Sequence, residues 1–173
     1  SDAPGAVPGV AEPAVDMVIS REEVLASAPR IEVASHLLKG SISLAGGRID
    51  DITLTAYHDT IDPESPLITL LSPPGSENAY YADFGWLGPE GSTPDSNSIW
   101  KADRDRLTPE TPVTLSWDNG DGLVFTRRLD LDDQYMFTVT QQVVNHGAKA
   151  VELVPYSLIS RTGTPTILGY YIL

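Results

Sequence analysis

The sequence contains no cysteine, so disulfide bonds, thiolate catalysis and cysteine-ligated metal sites are excluded. Basic residues are also scarce, because 11 Lys and Arg stand against 24 Asp and Glu, for a net charge of −13. Such a surface would repel nucleic acids and anionic lipid headgroups. No apolar run approaches the ~20 residues that a membrane-spanning helix needs. These absences argue against a nucleic-acid-binding protein and against a transmembrane segment within the chain.

Sequence signatures of nucleotide and metal sites are missing as well. The chain has neither of the glycine-rich phosphate-binding motifs, and it has no G-x-S-x-G elbow. Its histidines, His36, His58 and His146, lack the close spacing of a zinc-binding pair. An EF-hand calcium loop starting at Asp130 would need Gly and Glu where Tyr135 and Gln141 stand, so that loop is excluded. A looser calcium site stays an alternative to the favoured interpretation, an acidic turn between strands. We therefore predict a non-enzyme without cofactor or metal.

Short alternating runs are the main positive signal. In Ser41 to Tyr57, apolar residues alternate with Ser or Thr on either side of the pair Gly46-Gly47. A period of two predicts strands with one buried and one wet face, here joined as a hairpin. Similar runs follow from Val113 to Arg161, separated by turns such as Asp118 to Gly122. The pattern predicts an antiparallel all-β domain.

Paired carboxylates would be one route to catalysis, and the chain carries one adjacent pair. Asp50 and Asp51 lie within a predicted strand. Neighbouring strand residues point to opposite faces, so we expect these two not to act together as a glycosidase pair.

Composition divides the chain into two parts. Residues 1–29 are rich in Ala, Pro and Gly and read as an acidic linker or tether, whereas residues 30–173 form the β domain. Residues 58–112 are predicted to be largely irregular, with one edge strand at 67–71. A further strand is expected to begin at 169–173. Because the chain starts at Ser1 without Met or signal peptide and ends on apolar residues, we expect a fragment of a longer protein.

Aromatic residues in the irregular region are the best candidates for a binding surface. Exposed aromatics on a β scaffold can stack on sugars or hold apolar peptide segments. The competing interpretation is that they cover an open end of the sandwich as part of the core. The candidates are Tyr80, Tyr81, Phe84, Trp86 and Trp100.

Ordered sequence pieces resemble a known family. They are RIEVAS, LKGSISLAGGRIDDITLTAY, PLITLLSP, the W of SIWKAD, PVTLSWDNGDGLVFTRRLDLDDQYMFTVTQQVVN and VPYSLISRTG. Together, over residues 30–173, they resemble the large periplasmic domain of YidC-type membrane protein insertases of Gram-negative bacteria. Positions that match the family pattern are interpreted as turn, core or strand residues and are assigned to the fold. They are Gly46, Gly47, Tyr57, Trp117, Asn119, Gly122, Tyr135, Asn145, Tyr156 and Arg161.

The resemblance implies a twisted antiparallel β-supersandwich, similar to galactose-mutarotase-like domains and here cut short of its last strands. It implies a parent with one transmembrane helix before the domain and five after it, in the bacterial inner membrane with this domain facing the periplasm. Its implied partners are accessory subunits of the Sec translocon and nascent membrane proteins. The insertase residues of the family lie outside this chain.

A second function stays open from the sequence. The supersandwich shape would also suit a carbohydrate-binding or mutarotase-like domain, although fold does not determine function. A mutarotase-like site would need histidines and a carboxylate in one cleft, and the three histidines carry no supporting motif.

Overall fold

The strands predicted between residues 30 and 161 are present, and the domain is built from them together with further strands. The computed structural model describes residues 19–163. In chain order its elements are α1 (Arg21–Ala26), β1 (Arg30–Ala34), β2 (Leu38–Ser43), β3 (Arg48–His58), β4 (Leu67–Leu71), β5 (Tyr80–Leu87), β6 (Lys101–Ala102), β7 (Arg106–Leu107), β8 (Val113–Asp118), β9 (Leu123–Leu131), β10 (Phe137–Asn145) and β11 (Val154–Arg161). No helix within this range is long and apolar enough to cross a membrane.

Two sheets pack face to face, which confirms the predicted all-β sandwich. The larger has the order β11-β5-β3-β2-β1-β7, with β4 also paired to β3, and the smaller has the order β10-β9-β8-β6. All strand pairs are antiparallel except the short β1–β7 pair. One edge of the long strand β3 pairs with two strands, with β5 near Ile49 and with β4 from Ile52 onward.

The core lies between the sheets and follows from the period of two. On β9, every second residue from Leu123 to Leu131 is buried. On β1, Ile31 and Val33 are buried while their neighbours are not. Each fully buried aliphatic or aromatic side chain contributes about 1.5–3 kcal/mol relative to exposure. Trp100 and Phe125 are the largest aromatic members.

The region 58–112 is more regular than the sequence predicts. Besides the expected β4, it contains β5, an eight-residue strand, and the short strands β6 and β7. The prolines that suggested irregular structure lie between these strands, where a missing N–H costs no sheet hydrogen bond. The predicted strand at 169–173 and most of the predicted linker lie outside the described residues, so the domain boundary at 29/30 stays a prediction.

A β-bulge changes the expected positions of the two adjacent carboxylates. Ser41 pairs with Asp51 and Ile42 with Ile49, which leaves Asp50 as the extra residue of β3. Instead of facing apart, both carboxylates enter one hydrogen-bonded network. The Ser41 hydroxyl donates to Asp51 at 2.6 Å and accepts from Arg30 Nε at 2.7 Å.

Arginines neutralise both carboxylates. Arg30 pairs with Asp50, whose side chain is 3% exposed, and Arg21 pairs with Asp51. Arg21 belongs to α1, none of whose residues is buried, and this ion pair joins the helix to β3. The chain before β1 is thereby attached to the domain from residue 19 onward, where Ile19 also donates to the Gly75 carbonyl at 3.3 Å.

A second buried cation connects the two sheets. Arg127 lies on the inward face of β9 and is fully buried. Its Nη1 donates to the carbonyls of Gly46 and Gly47 at 3.0 and 2.7 Å, and its Nη2 donates to Phe84 O at 2.6 Å. Burial lowers the pKa of Arg127 to about 10, against the opposite influence of nearby Asp83, so the side chain stays charged at neutral pH.

Glycine is required where this arginine meets the β2–β3 hairpin. Gly47 has φ +64°, and a Cβ there would lie 2.6 Å from Arg127 Nη1. A side chain would therefore both strain the backbone and displace the guanidinium. The Gly46-Gly47 pair that predicted a hairpin thus also provides the carbonyls that bind Arg127.

The Arg30–Asp50 pair gives a pH-dependent prediction. Arg30→Gln should lower the free energy of unfolding at pH 7 by about 3–5 kcal/mol, because it leaves a carboxylate buried without its cation. Burial already raises the pKa of Asp50 above its ordinary value of 3.8. A carboxyl group whose pKa is raised in the folded state destabilises the fold at pH values above that raised pKa, where the group is charged. Below its ordinary pKa the group is protonated in both the folded and the unfolded state, and this cost is absent. The loss should therefore shrink as the pH falls from 7 towards 4, measured by urea unfolding.

The matched control is the double variant Arg30→Gln/Asp50→Asn. It has no buried carboxylate at this position, so its difference from the unsubstituted protein should change much less with pH. A loss for Arg30→Gln that is equal at both pH values would contradict the account.

Candidate partner-binding surface

Four of the five predicted aromatics lie on one strand, but on its two faces. Side chains on a strand alternate between faces, so Tyr80, Phe84 and Trp86 point one way and Tyr81 the other. Phe84 and Trp86 are partly buried against the core. The Trp86 ring lies 6.3 Å from that of Phe125, at an interplanar angle of 60°. Arg48 lies 5.2 Å from the centre of the Tyr81 ring on the outer face.

Trp100 lies in the core and not on the surface. It is 1% exposed, and the Arg127 guanidinium lies 4.6 Å from the centre of its ring. Its backbone N–H donates to Leu44 O at 2.8 Å, which fixes it beside the β2–β3 hairpin. The interpretation of the aromatics as core residues therefore holds for Trp100, whose side chain is not available to a partner in this fold.

An exposed apolar surface lies where β5 meets β11. The register pairs Val154 with Leu87, Tyr156 with Gly85 and Leu158 with Asp83, so these side chains share the outer face. Leu87, Val154, Tyr156 and Leu158 are 60%, 52%, 36% and 42% exposed. We call these four residues the edge patch. Gly85 makes room for it, since a Cβ there would lie 2.5 Å from the Tyr156 ring.

Backbone groups extend this surface. Within residues 19–163, β11 is an edge strand, with β5 on one side only. An edge strand presents a row of unpaired N–H and C=O groups that can pair with another extended chain. The edge patch therefore combines exposed apolar side chains with an available strand edge.

A cavity lies elsewhere, at one end of the sandwich. It measures about 640 Å³ and is formed by the β8–β9 turn, the β10–β11 loop and the loop after β5, including Asn119, Asn145 and Lys149. Asn119 and Asn145 accept hydrogen bonds from backbone N–H groups of their own turns. None of the described residues that line it is aromatic, so the cavity provides no ring on which a sugar could stack.

The histidines occupy separate places. His36 and His146 are exposed, and His58 Nδ1 lies 2.6 Å from the Ser65 carbonyl. Among residues 19–163, no group of three or more His, Asp or Glu side chains is arranged to hold a metal ion.

Neither the edge patch nor the buried Arg127 was predicted from the sequence. The register of β11 against β5 joins residues about 70 positions apart, and no local pattern reports it. For Arg127 a signal existed, because its position falls in the inward row of β9 with Phe125 and Leu129. A charged residue in an otherwise apolar row indicates a buried ionic contact.

Comparison with known proteins gives one consistent result. A family model described as the YidC periplasmic domain matches residues 30–172. The chain is 53% identical over 171 residues to a protein named membrane protein insertase YidC from Methylobacterium nodulans, covering 98% of this chain and 28% of that protein. Identity is 48% over 160 residues to the protein of the same name from Bradyrhizobium diazoefficiens, covering 90% and 26%. The chain thus spans about a quarter of the length of these relatives.

Trp86 and Trp100 provide a prediction that distinguishes a core residue from a partly buried one. We expect Trp100→Ala to lower the free energy of unfolding by about 3–5 kcal/mol, because it removes a fully buried aromatic ring. Trp86→Ala should cost clearly less, since that side chain is only partly buried. Urea unfolding of both variants measures the difference. Equal losses, or a larger one for Trp86→Ala, would contradict the placement of Trp100 in the core.

Proposed function

The chain belongs to the YidC periplasmic domain family, and from that premise we propose that it is the non-catalytic domain of a membrane protein insertase. In this role it assists the insertion and folding of inner-membrane proteins, and it faces the periplasm. The family match over residues 30–172 is the observation that carries the proposal. The name of the relatives, membrane protein insertase, indicates the substrate class, which is membrane proteins.

The absence of catalysis is part of the proposal. The buried carboxylates Asp50 and Asp51 are both held by arginines, so neither is available as an acid or base. The domain's contribution is then binding, and the edge patch is its proposed surface.

Extended apolar segments suit this surface best. A segment of a membrane protein is rich in apolar side chains, which would cover Leu87, Val154 and Leu158. Strand addition at the β11 edge would satisfy its backbone groups. Tyr81, on the same face of β5, would contact its side chains, whereas Phe84 and Trp86 support the strand from the core side. The net charge of −13 keeps the domain away from anionic lipid, leaving the edge free for protein.

Accessory subunits of the Sec translocon are proposed as further partners. Their support is the family resemblance alone. They would compete with substrate segments if they used the same edge.

Site-specific crosslinking tests the proposal in a full-length insertase. The present chain would replace the matching segment of the Methylobacterium nodulans protein, with which it shares 53% identity. A photoreactive amino acid at Leu158, in the edge patch, should give adducts with newly made membrane proteins. The same amino acid at Thr140, exposed on the polar outer face of β10, is the matched control.

The outcome is read from the identity of the adducts. Membrane proteins or Sec subunits at Leu158 and not at Thr140 would support the proposal. Absence of adducts at Leu158, or the same adducts at both positions, would contradict it.

A further inference from the structure

A small cavity on the opposite face of β11 contains an arginine that pairs with no carboxylate among residues 19–163. The cavity measures about 380 Å³ and is lined by Arg21, Asp59, Thr69, Leu70, Ser72, Asn78, Tyr80 and Arg161. Arg161 is directly opposite Tyr80 in the β5–β11 register, and its guanidinium lies 5.1 Å from the centre of the Tyr80 ring. This face is the one turned away from the edge patch.

Arg161 is an exception among the arginines of residues 19–163. Six others pair with carboxylates, and Arg127 donates to carbonyl oxygens. Within the described chain, Arg161 makes neither an ion pair nor a side-chain hydrogen bond, although carboxylates outnumber cations about two to one. An arginine placed on an aromatic ring is held in position and keeps its N–H groups available to a ligand.

Other donors face the same space. Arg21 also lines the cavity, although its Nη2 pairs with Asp51. Thr69, Ser72 and Asn78, whose side chains carry hydroxyl or amide donors, line it as well. A cavity with this excess of donors is complementary to an oxygen-rich anion.

The remaining charges indicate which anion fits. Asp59 lines the cavity and forms no ion pair within residues 19–163, so it opposes any anion that enters. A monoanionic carboxylate meets less of this repulsion than a phosphate dianion. The net charge of −13 likewise disfavours a lipid headgroup, which would bring a whole anionic surface with it.

We propose that Arg161, on Tyr80 and beside Arg21, binds a single carboxylate of an acidic peptide. This site is separate from the edge patch, and it does not depend on the insertase function. It gives the end of β11 a role in recognition, whereas the sequence indicated a role for Arg161 in the fold alone.

The test uses chain 1–173 and two blocked tripeptides, acetyl-Gly-Glu-Gly-amide and its Gln counterpart. NMR titration follows the Arg161 Nε–H signal and the backbone amides of Asn78 and Tyr80. We expect saturable shifts with the Glu peptide and none with the Gln peptide. Arg161→Gln should weaken binding at least about tenfold, the effect of losing a charge-assisted hydrogen bond. Arg104→Gln, which changes an exposed arginine elsewhere, should leave binding unchanged.

Asp59→Asn should change the affinity for the Glu peptide in the direction opposite to Arg161→Gln. It removes the opposing carboxylate, so the Glu peptide should bind more tightly than it does to the unsubstituted chain. Inorganic phosphate is titrated in parallel and should bind more weakly than the Glu peptide.

Three results would overturn the proposal. These are equal shifts with the Glu and Gln peptides, unchanged affinity in Arg161→Gln, and tighter binding of inorganic phosphate than of the peptide. Circular dichroism of each variant verifies that a lost signal is not caused by unfolding.

Discussion

The buried guanidinium of Arg127 is the contact on which the arrangement of the sheets depends. It starts on β9 in the smaller sheet and donates to the β2–β3 hairpin and to β5 in the larger one. These carbonyls compensate for the cost of burying a charge, and Trp100 and Phe84 cover the guanidinium. Because β5 in turn carries β11, the position of the edge patch also depends on this arginine.

The pairing of arginines inside the domain explains the character of its surface. The cations of Arg21, Arg30 and Arg48 pair with carboxylates that are largely shielded from water. Most other Asp and Glu side chains among residues 19–163 are exposed to solvent, so the described surface is strongly acidic. A surface of this sign repels anionic lipid headgroups. The exposed apolar side chains of the edge patch are an exception to this acidic surface.

Local patterns predicted the strands well and the surface poorly. Alternation around Ser41 to Tyr57 and after Val113 predicted β2, β3, β8, β9 and β10, because burial on one face leaves a period of two in the sequence. Strand β5 was not predicted. Both of its faces are partly covered and its one buried residue is Gly85, so its sequence shows no alternation of apolar and polar residues. The predicted aromatic surface relies on residues that are close in sequence. On β5, however, Tyr80 and Tyr81 point to opposite faces of the sheet. The bulge at Asp50 and the β5–β11 register depend on how one strand pairs with another. The local sequence pattern of either strand does not predict this pairing.

Hydrogen exchange in Arg127→Gln, compared with Arg128→Gln, tests the central claim most directly. The two residues are neighbours on β9, but Arg128 faces solvent and pairs only with Asp130. The account predicts faster exchange of the amides of β5, β11 and the Gly46-Gly47 hairpin in Arg127→Gln, with Arg128→Gln close to the unsubstituted protein. Equal protection of these amides in both variants would show that the sheets are held together without the buried guanidinium, and would contradict the account.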